Sequence, residues 1–362
     1  MKTKGLKIEE LGEFEFIRSI KDDCHFSHEK LIKGIGDDCA VVGPYEGKAL
    51  LLTTDTLLED IHFLMEKIPP EDLGEKSVAV NLSDIAAMGG KALHLLVSLA
   101  IPRSMSVDTV HSMYRGMKQI CRCYGVNILG GDTVASPHRL MINVTVLGEA
   151  PEKEVLYRSG ARPGDYIYLT GTIGDSAAGL GLIKGEFSAP EQVAFPLREA
   201  HNRPVPHLEA GRLIARSGLA SAMIDLSDGL LSDLRHICEA SSVGARLIYN
   251  ALPLSGELKA LAEINNFDPY ELALAGGEDY RLLITVPRRN AEAFNKIFSG
   301  GIPCPAFQVG QITEDLGMKM TRPDGSEEML EPRGYNHFIA YSPETRVGPG
   351  SPRHQPPIPE GV

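Results

Sequence analysis

Two short motifs each occur twice in this chain, and in the same order. Leu82-Ser83-Asp84 returns as Leu226-Ser227-Asp228, and Gly130-Gly131-Asp132 returns as Gly276-Gly277-Glu278. Such an echo predicts a chain built from two related α/β halves. A length of 362 residues leaves room for both, since domains commonly run to about 100–200 residues.

Local patterns point the same way. Phe14, Ile17 and Ile20 follow Leu11 at amphipathic spacing and predict a helix over 8–20. Strands are expected over 40–42 and 49–54. Pro69-Pro70-Glu71-Asp72 suits a first helical turn, and Gly89-Gly90 suits that helix's end. A strand over 93–101, a helix over 107–124 and strands over 127–129 and 140–147 follow. The turn-rich run Arg158-Ser159-Gly160-Ala161-Arg162-Pro163-Gly164-Asp165 breaks the pattern and sets a boundary near residue 150. The expected units are 1–150, 151–340 and a Pro- and Gly-rich, disordered tail over 341–362. Strands in the second half are expected over 166–170, 222–225, 245–249, 280–286 and 306–312.

Chemistry concentrates in the acidic residues. Gly34-Ile35-Gly36-Asp37-Asp38-Cys39-Ala40 sets two carboxylates in a glycine turn, and Thr53-Thr54-Asp55-Thr56 adds a third after an apolar run. With Asp84, Asp132, Asp225 and Asp228, seven aspartates stand beside Gly, Ser or Thr at expected strand ends or helix starts. Any one of them reads as an N-cap or turn residue. Converging carboxylates, however, repel one another unless a cation lies between them. Short carboxylates on loops suit magnesium, a hard cation that takes oxygen ligands. Bound magnesium neutralises charge in phosphoryl transfer.

The glycine loops Gly130-Gly131-Asp132-Thr133 and Gly171-Thr172-Ile173-Gly174 read as either phosphate cradles or tight turns. Neither is a Walker A loop, because no Gly-Lys-Ser/Thr follows. Arg158 has the fork that matches phosphate. Glu278 reads as a cap or as an acceptor for a polar or cationic substrate, and no Ser-His-Asp or Cys-His arrangement suggests covalent catalysis. A net charge of −12 argues against a broad nucleic-acid surface. No apolar run approaches the roughly 18–20 residues of a membrane span, and the six cysteines form no C-x-x-C pair. A cytoplasmic protein with reduced thiols is expected.

As a set, these stretches resemble the thiamine-monophosphate kinase family. Further stretches carry the resemblance too: Val80-Asn81-Leu82-Ser83-Asp84-Ile85-Ala86-Ala87-Met88-Gly89, Asp175-Ser176-Ala177-Ala178-Gly179-Leu180 and Ile224-Asp225-Leu226-Ser227-Asp228-Gly229-Leu230. That family belongs to the ATP-binding superfamily of aminoimidazole ribonucleotide synthetase and selenophosphate synthetase. The resemblance implies an α/β (α+β) protein of two domains. The N-terminal domain would form a homodimer by sheet association, and the C-terminal domain would pack over the active site. It implies ATP-dependent phosphorylation of thiamine monophosphate to thiamine diphosphate, by in-line transfer with several magnesium ions and no general acid or base. The implied metal positions are Asp38, Thr53, Thr54, Asp55, Asp84, Asp132, Asp225 and Asp228. ATP would meet Tyr114, Gly131, Asp132, Arg158 and Ser227, and the substrate His62 and Glu278. The family's C-terminal aromatic has no plain match: Pro332 stands at its place, with Tyr335 as a substitute. The alternative is another ATP-dependent enzyme of the superfamily, such as a selenophosphate synthetase. Cys24 lacks the glycine-rich setting that such an enzyme would show.

Overall fold

The computed structural model describes residues 12–20, 24, 29–299 and 304–331. Pro332, Tyr335 and the 341–362 tail lie outside them. Among the described residues no helix is long and apolar enough to cross a membrane.

Alternating apolar residues build the first sheet. Its strands are β1 (Leu31–Lys33), β2 (Ala40–Tyr45), β3 (Lys48–Leu58), β4 (Lys91–Pro102), β5 (Asn127–Ser136) and β6 (Met141–Pro151), in the order β1-β2-β3-β6-β4-β5. All neighbours are antiparallel except β4 and β5, whose parallel pairing needs a crossover. Helix α3 (Val107–Tyr124) supplies it. Strand β3 shows the pleat: Ala49, Leu51 and Thr53 face the core, while Leu52, Thr54, Thr56 and Leu58 point away. Helix α2 (Pro70–Ala87) packs on the core face and is buried along most of its length.

Strand β5 is longer than the expected 127–129, and Gly130 and Gly131 lie inside it. A Cβ on Gly131 would stand 1.6 Å from the Val97 carbonyl oxygen. The glycine that reads as a loop signal is here what lets β5 lie against β4.

The second sheet runs β13-β12-β9-β11-β7-β10-β8. These are β7 (Tyr166–Thr170), β8 (Ala222–Asp225), β9 (Gly244–Ile248), β10 (Leu282–Val286), β11 (Ala306–Thr313), β12 (Met318–Thr321) and β13 (Glu327–Leu330). Strands β8 and β10 are buried along their whole length, as continuous apolar runs predict when both faces are covered. Met223, Ile284 and Val286 share one core with the first domain and with α6 (Leu208–Ser217). Ile224 and Leu283 face a second core, closed by α4 (Asp175–Lys184), α7 (Leu230–Ser241) and α8 (Gly256–Asn265). Helix α1 (Glu13–Ile20) lies on α7: the Phe14 ring meets His236 edge-on at 4.9 Å, and Arg18 pairs with Glu239 at 3.1 Å.

The repeated triplets do not occupy equivalent places. Leu82-Ser83-Asp84 is inside α2, whereas Leu226-Ser227-Asp228 forms the turn between β8 and α7. Gly130-Gly131 is strand, whereas Gly276-Gly277-Glu278 is a loop after α9 (Pro269–Ala275).

Candidate active site

A cleft of about 1130 Å³ opens between the two sheets. Its floor is acidic. Asp55 enters from β3, Asp84 from α2 and Asp225 from the end of β8, and Asp38, in the turn before β2, is buried beside them. Carboxylate oxygens of Asp38, Asp84 and Asp225 lie within 4.8 Å of one another. Two domains thus deliver charges that would not gather by themselves.

Helix α2 holds the arrangement with a polar stripe on an otherwise apolar helix. Ser83 Oγ donates to Asp225 Oδ2 at 2.6 Å, across the domain boundary. Asn81 Oδ1 accepts from the Asp55 amide at 3.0 Å, while its Nδ2 donates to the Ser77 carbonyl at 3.2 Å. Thr53 Oγ1 donates to Asp84 Oδ2 in a short contact. On the far side, Arg158 Nη2 and Nε reach Asp38 Oδ1 at 2.6 and 3.2 Å. Asp38 Oδ2 is buried with no hydrogen-bond partner among the described residues.

The electrostatics follow from crowding and burial. Burial pushes the Asp38 carboxyl up to about 7; Arg158 opposes this and Asp225 adds to it. Asp55 rises to about 6 through burial, offset in part by a hydrogen bond with Asp84. Asp225 rises to about 6 through burial, against the Ser83 hydrogen bond and the Arg158 charge. Asp84 is pushed well above the carboxylate range by burial and then by Asp55, Asp225 and Asp38. Asp228 rises to about 7 through burial, with Glu13 adding to it. Each carboxylate is poised to release its proton to a cation. The donor set is entirely oxygen, and one buried acceptor has no partner, so these residues fit a hard divalent ion.

The other predicted residues fall in several places. Ser227, Asp228, His62 and Glu278 line the same cleft. His62 Nδ1 accepts from the Leu58 amide at 3.0 Å, and the His62 charge acts on Glu278. Asp37 ties its own turn together: Oδ2 lies 3.1 Å from Lys33 Nζ, and Oδ1 accepts from the Arg158 amide at 3.2 Å. Thr54 lines the cleft but stands outside the carboxylate cluster, and Asp132 is in neither. The Thr54 hydroxyl lies 3.0 Å from Thr145 Oγ1 and accepts from Asn143 Nδ2 at 3.1 Å, on the sheet face away from Thr53. Asp132 pairs in register with Ser98, which pairs with Asn143, which pairs with Thr56. Three strand spacings separate it from β3, about 14 Å. Gly131 lies on the same exposed edge strand, and Tyr114 sits on α3, partly packed against the first core.

The Gly171–Gly174 loop is excluded as a phosphate cradle. Asp279 already takes the amides at the start of α4, with Oδ2 at 2.6 Å from Gly174 N and Oδ1 at 3.2 Å from Ser176 N. An internal carboxylate fills the place an external anion would need.

Sequence reasoning missed Lys76 and gave Asn81 and Ser83, though part of quoted motifs, no role; all three read as ordinary positions of a buried helix. It also missed Asp233 and His236, which stand with Asp228 in a second group whose ligand atoms lie within 4.8 Å of one another. Only the shared helical face of Lys76, Ser83 and Asp84, at i, i+7 and i+8, hinted at the stripe.

Paired mixed sheets closing on a carboxylate-lined cleft define the class of AIR synthase related proteins. The model for the N-terminal domain of that class matches residues 36–150, and the model for its C-terminal domain matches 162–322. Within that class, the chain belongs to the thiamine-monophosphate kinase family. It is 38% identical over 333 residues to thiamine-monophosphate kinase of Bacillus subtilis (strain 168), covering 91% of this chain and 100% of that protein. It is 40% identical over 329 residues to the Escherichia coli (strain K12) protein of the same name, covering 90% and 98%. A solved structure of AaThiL complexed with AMPPCP and TMP matches with a TM-score of 0.81 at 37% identity, over 92% of this chain and 99% of that one.

Proposed function

We propose that this chain transfers the γ-phosphate of ATP to the phosphate of thiamine monophosphate, giving thiamine diphosphate. The observation that carries the reading is the meeting of Asp38, Asp84 and Asp225 from two domains at one wall of the cleft. Two polyanions must approach there, and their repulsion is the main obstacle to reaction. Magnesium held by Asp38, Thr53, Asp55, Asp84, Asp225 and Asp228 would neutralise that charge. Arg158, already beside the cluster, adds a fixed cation for phosphate. Ser227, on the same wall, lies where ATP would be met. His62 and Glu278, which line the same cleft, would meet the acceptor's ring. A phosphate monoester is already a nucleophile once oriented, so positioning replaces a general base.

Asp132 enters this reading through a homodimer. With Thr54, Ser98 and Asn143 it shares the sheet face that points away from the core. Leu52, Leu58, Leu96 and Val134 stand exposed on the strands that carry that face, as at an association surface. Face-to-face pairing through β5 would bring Gly131 and Asp132 of each copy toward the cleft of the other.

Purified protein with ATP and magnesium is expected to convert thiamine monophosphate to thiamine diphosphate, read by chromatography of the products. Saturation with both ligands and no product overturns the reading. Magnesium is also expected to raise Tm, and by more at pH 8 than at pH 5. The folded pKa values of Asp38 and Asp55, about 7 and about 6, exceed the ordinary value of 3.8. Their contribution to stability is therefore present below about pH 4 and lost as pH rises through about 6–7. Cation binding offsets that loss only where the groups are ionised. An equal shift at both pH values would remove these carboxylates from the metal site.

A further inference from the structure

We propose that Lys76 is a positioning residue for the acceptor: it holds Glu278 as a fixed carboxylate aimed into the cleft, and so sets a preference for a ring that carries an N–H donor. The claim rests on the proposed reaction for the identity of the acceptor, and on this chain's own geometry for everything else.

Lys76 is fully buried in α2 and takes no part in the aspartate cluster. Its Nζ lies 3.2 Å from Glu278 Oε2 and 3.3 Å from His201 Nε2. An ammonium can only donate, so Nε2 must accept. The His201 proton is then on Nδ1, which faces Ser176 Oγ at 3.1 Å and Glu278 Oε2 at 3.3 Å, so His201 steadies the carboxylate as well as the ammonium. Burial and the Lys76 charge push the His201 pKa down to about 3, which keeps the ring neutral. His201 therefore fixes Lys76 without competing for its charge.

Glu278 is pinned from two directions. Its amide donates to the Ser227 carbonyl at 2.7 Å, and its backbone sits in the left-handed region at φ 65. That conformation is strained for a residue other than glycine and persists only where the surroundings enforce it. Its side chain is 23% exposed, at the cleft. Burial raises its pKa more than any single neighbour lowers it, but Lys76 first, with His201 and His62 adding to it, holds the carboxyl below its usual value. A buried ion pair adds little net stability over apolar packing. Its effect here is geometric and electrostatic. An ionised carboxylate accepts hydrogen bonds and cannot donate, so it favours an aminopyrimidine and disfavours an oxopyrimidine, whose carbonyl oxygen in the same place can only accept.

The test compares wild type, Lys76→Met, Glu278→Gln and the double variant. Each is assayed with thiamine monophosphate and with the analogue whose ring amino group is replaced by an oxo group, an acceptor with no proton to donate. Lys76→Met is expected to raise KM for thiamine monophosphate at least tenfold, with KM for ATP unchanged and kcat within about threefold. It should lose the preference for the amino ring as fully as Glu278→Gln does, and the double variant should be no worse than Glu278→Gln. An unchanged preference, or effects that multiply in the double variant, overturns the proposal. If Lys76→Met fails to fold, the double variant, which removes the stranded charge, stands in for it. A KM tenfold worse than that of Glu278→Gln alone then overturns the proposal, because Lys76 would be acting independently of Glu278. A second measurement does not depend on the reaction. Infrared difference spectra at pH 7, each protein against its Glu278→Gln counterpart, should show an ionised carboxylate in wild type and a protonated one in Lys76→Met. An ionised carboxylate in both overturns the positioning role. Wild type inert toward thiamine monophosphate overturns the reaction instead.

Discussion

Asp84→Asn is expected to lower turnover by about 10²–10³-fold while raising the Tm of the metal-free protein. Asp84 stands on α2 between Thr53, Asp55, Asp38 and Asp225, and burial with the three neighbouring carboxylates lifts its pKa well above the ordinary value. In the metal-free protein it is a source of strain. Asparagine keeps the shape and can still accept from the Thr53 hydroxyl, but it removes a charge from a crowded site. Each kcal/mol of relief raises Tm by about 2–4 °C in domains of this size. The same change removes a carboxylate that would bind a cation between two phosphates, and activity needs that group. Melting curves in chelator and in magnesium, set beside kcat at saturating substrates, check both halves. The magnesium-induced rise in Tm should shrink in the variant. A Tm that falls together with kcat would make Asp84 a packing residue.

The second large effect concerns the seam between domains. Gly211 on α6 packs against α2 so closely that an added Cβ would stand 2.2 Å from the Ala86 carbonyl oxygen. Backbone cannot retreat as a side-chain tip can, so Gly211→Ala must part the helices. Overpacking of this kind costs about 1–3 kcal/mol, and occasionally more. Ala86 lies two residues beyond Asp84 and three beyond Ser83, whose hydroxyl reaches Asp225 at 2.6 Å. Parting α2 from α6 would move one wall of the acidic cluster against the other. A fall in Tm is expected, with activity down at least tenfold at temperatures where the variant is still folded. Gly256→Ala is the control: at the first position of α8 its Cβ meets nothing within 4 Å, so it should be neutral or stabilising by up to about 1 kcal/mol. Full activity in Gly211→Ala would separate the helix seam from catalysis.

Much of the fold was legible where one dominant pattern ran unopposed. Helix α3 spans Val107–Tyr124 as its amphipathic spacing predicts. Helix α2 starts at Pro70 and gives way at Gly89 as its proline and glycines require. The carboxylates were legible as a set, since seven aspartates beside small residues exceed what capping needs. What stayed hidden followed from two features that leave little trace in sequence. Polar residues on a buried helix look like interruptions until their partners are known, which is why Lys76 passed unnoticed and Asn81 and Ser83, though part of quoted motifs, were given no role. Glycine reads alike whether it serves a turn or a close approach, so Gly131 suggested a loop where there is a strand. Gly171–Gly174 suggested an anion site that Asp279 already fills.

The sequence by itself determined many of the elements, the two-part architecture, and the acidic character of the site, because hydrophobic periodicity, turn residues and hard oxygen ligands act locally. The echo of Leu-Ser-Asp and Gly-Gly-acid shows the limit of that reading. Its two copies lie in different local structures, and three of its acidic residues reach the cleft while Asp132 lies about 14 Å from β3 on an edge strand. Only the tertiary structure decided which carboxylates meet. Convergence depends on how two sheets and one buried helix pack, over distances that no local pattern encodes.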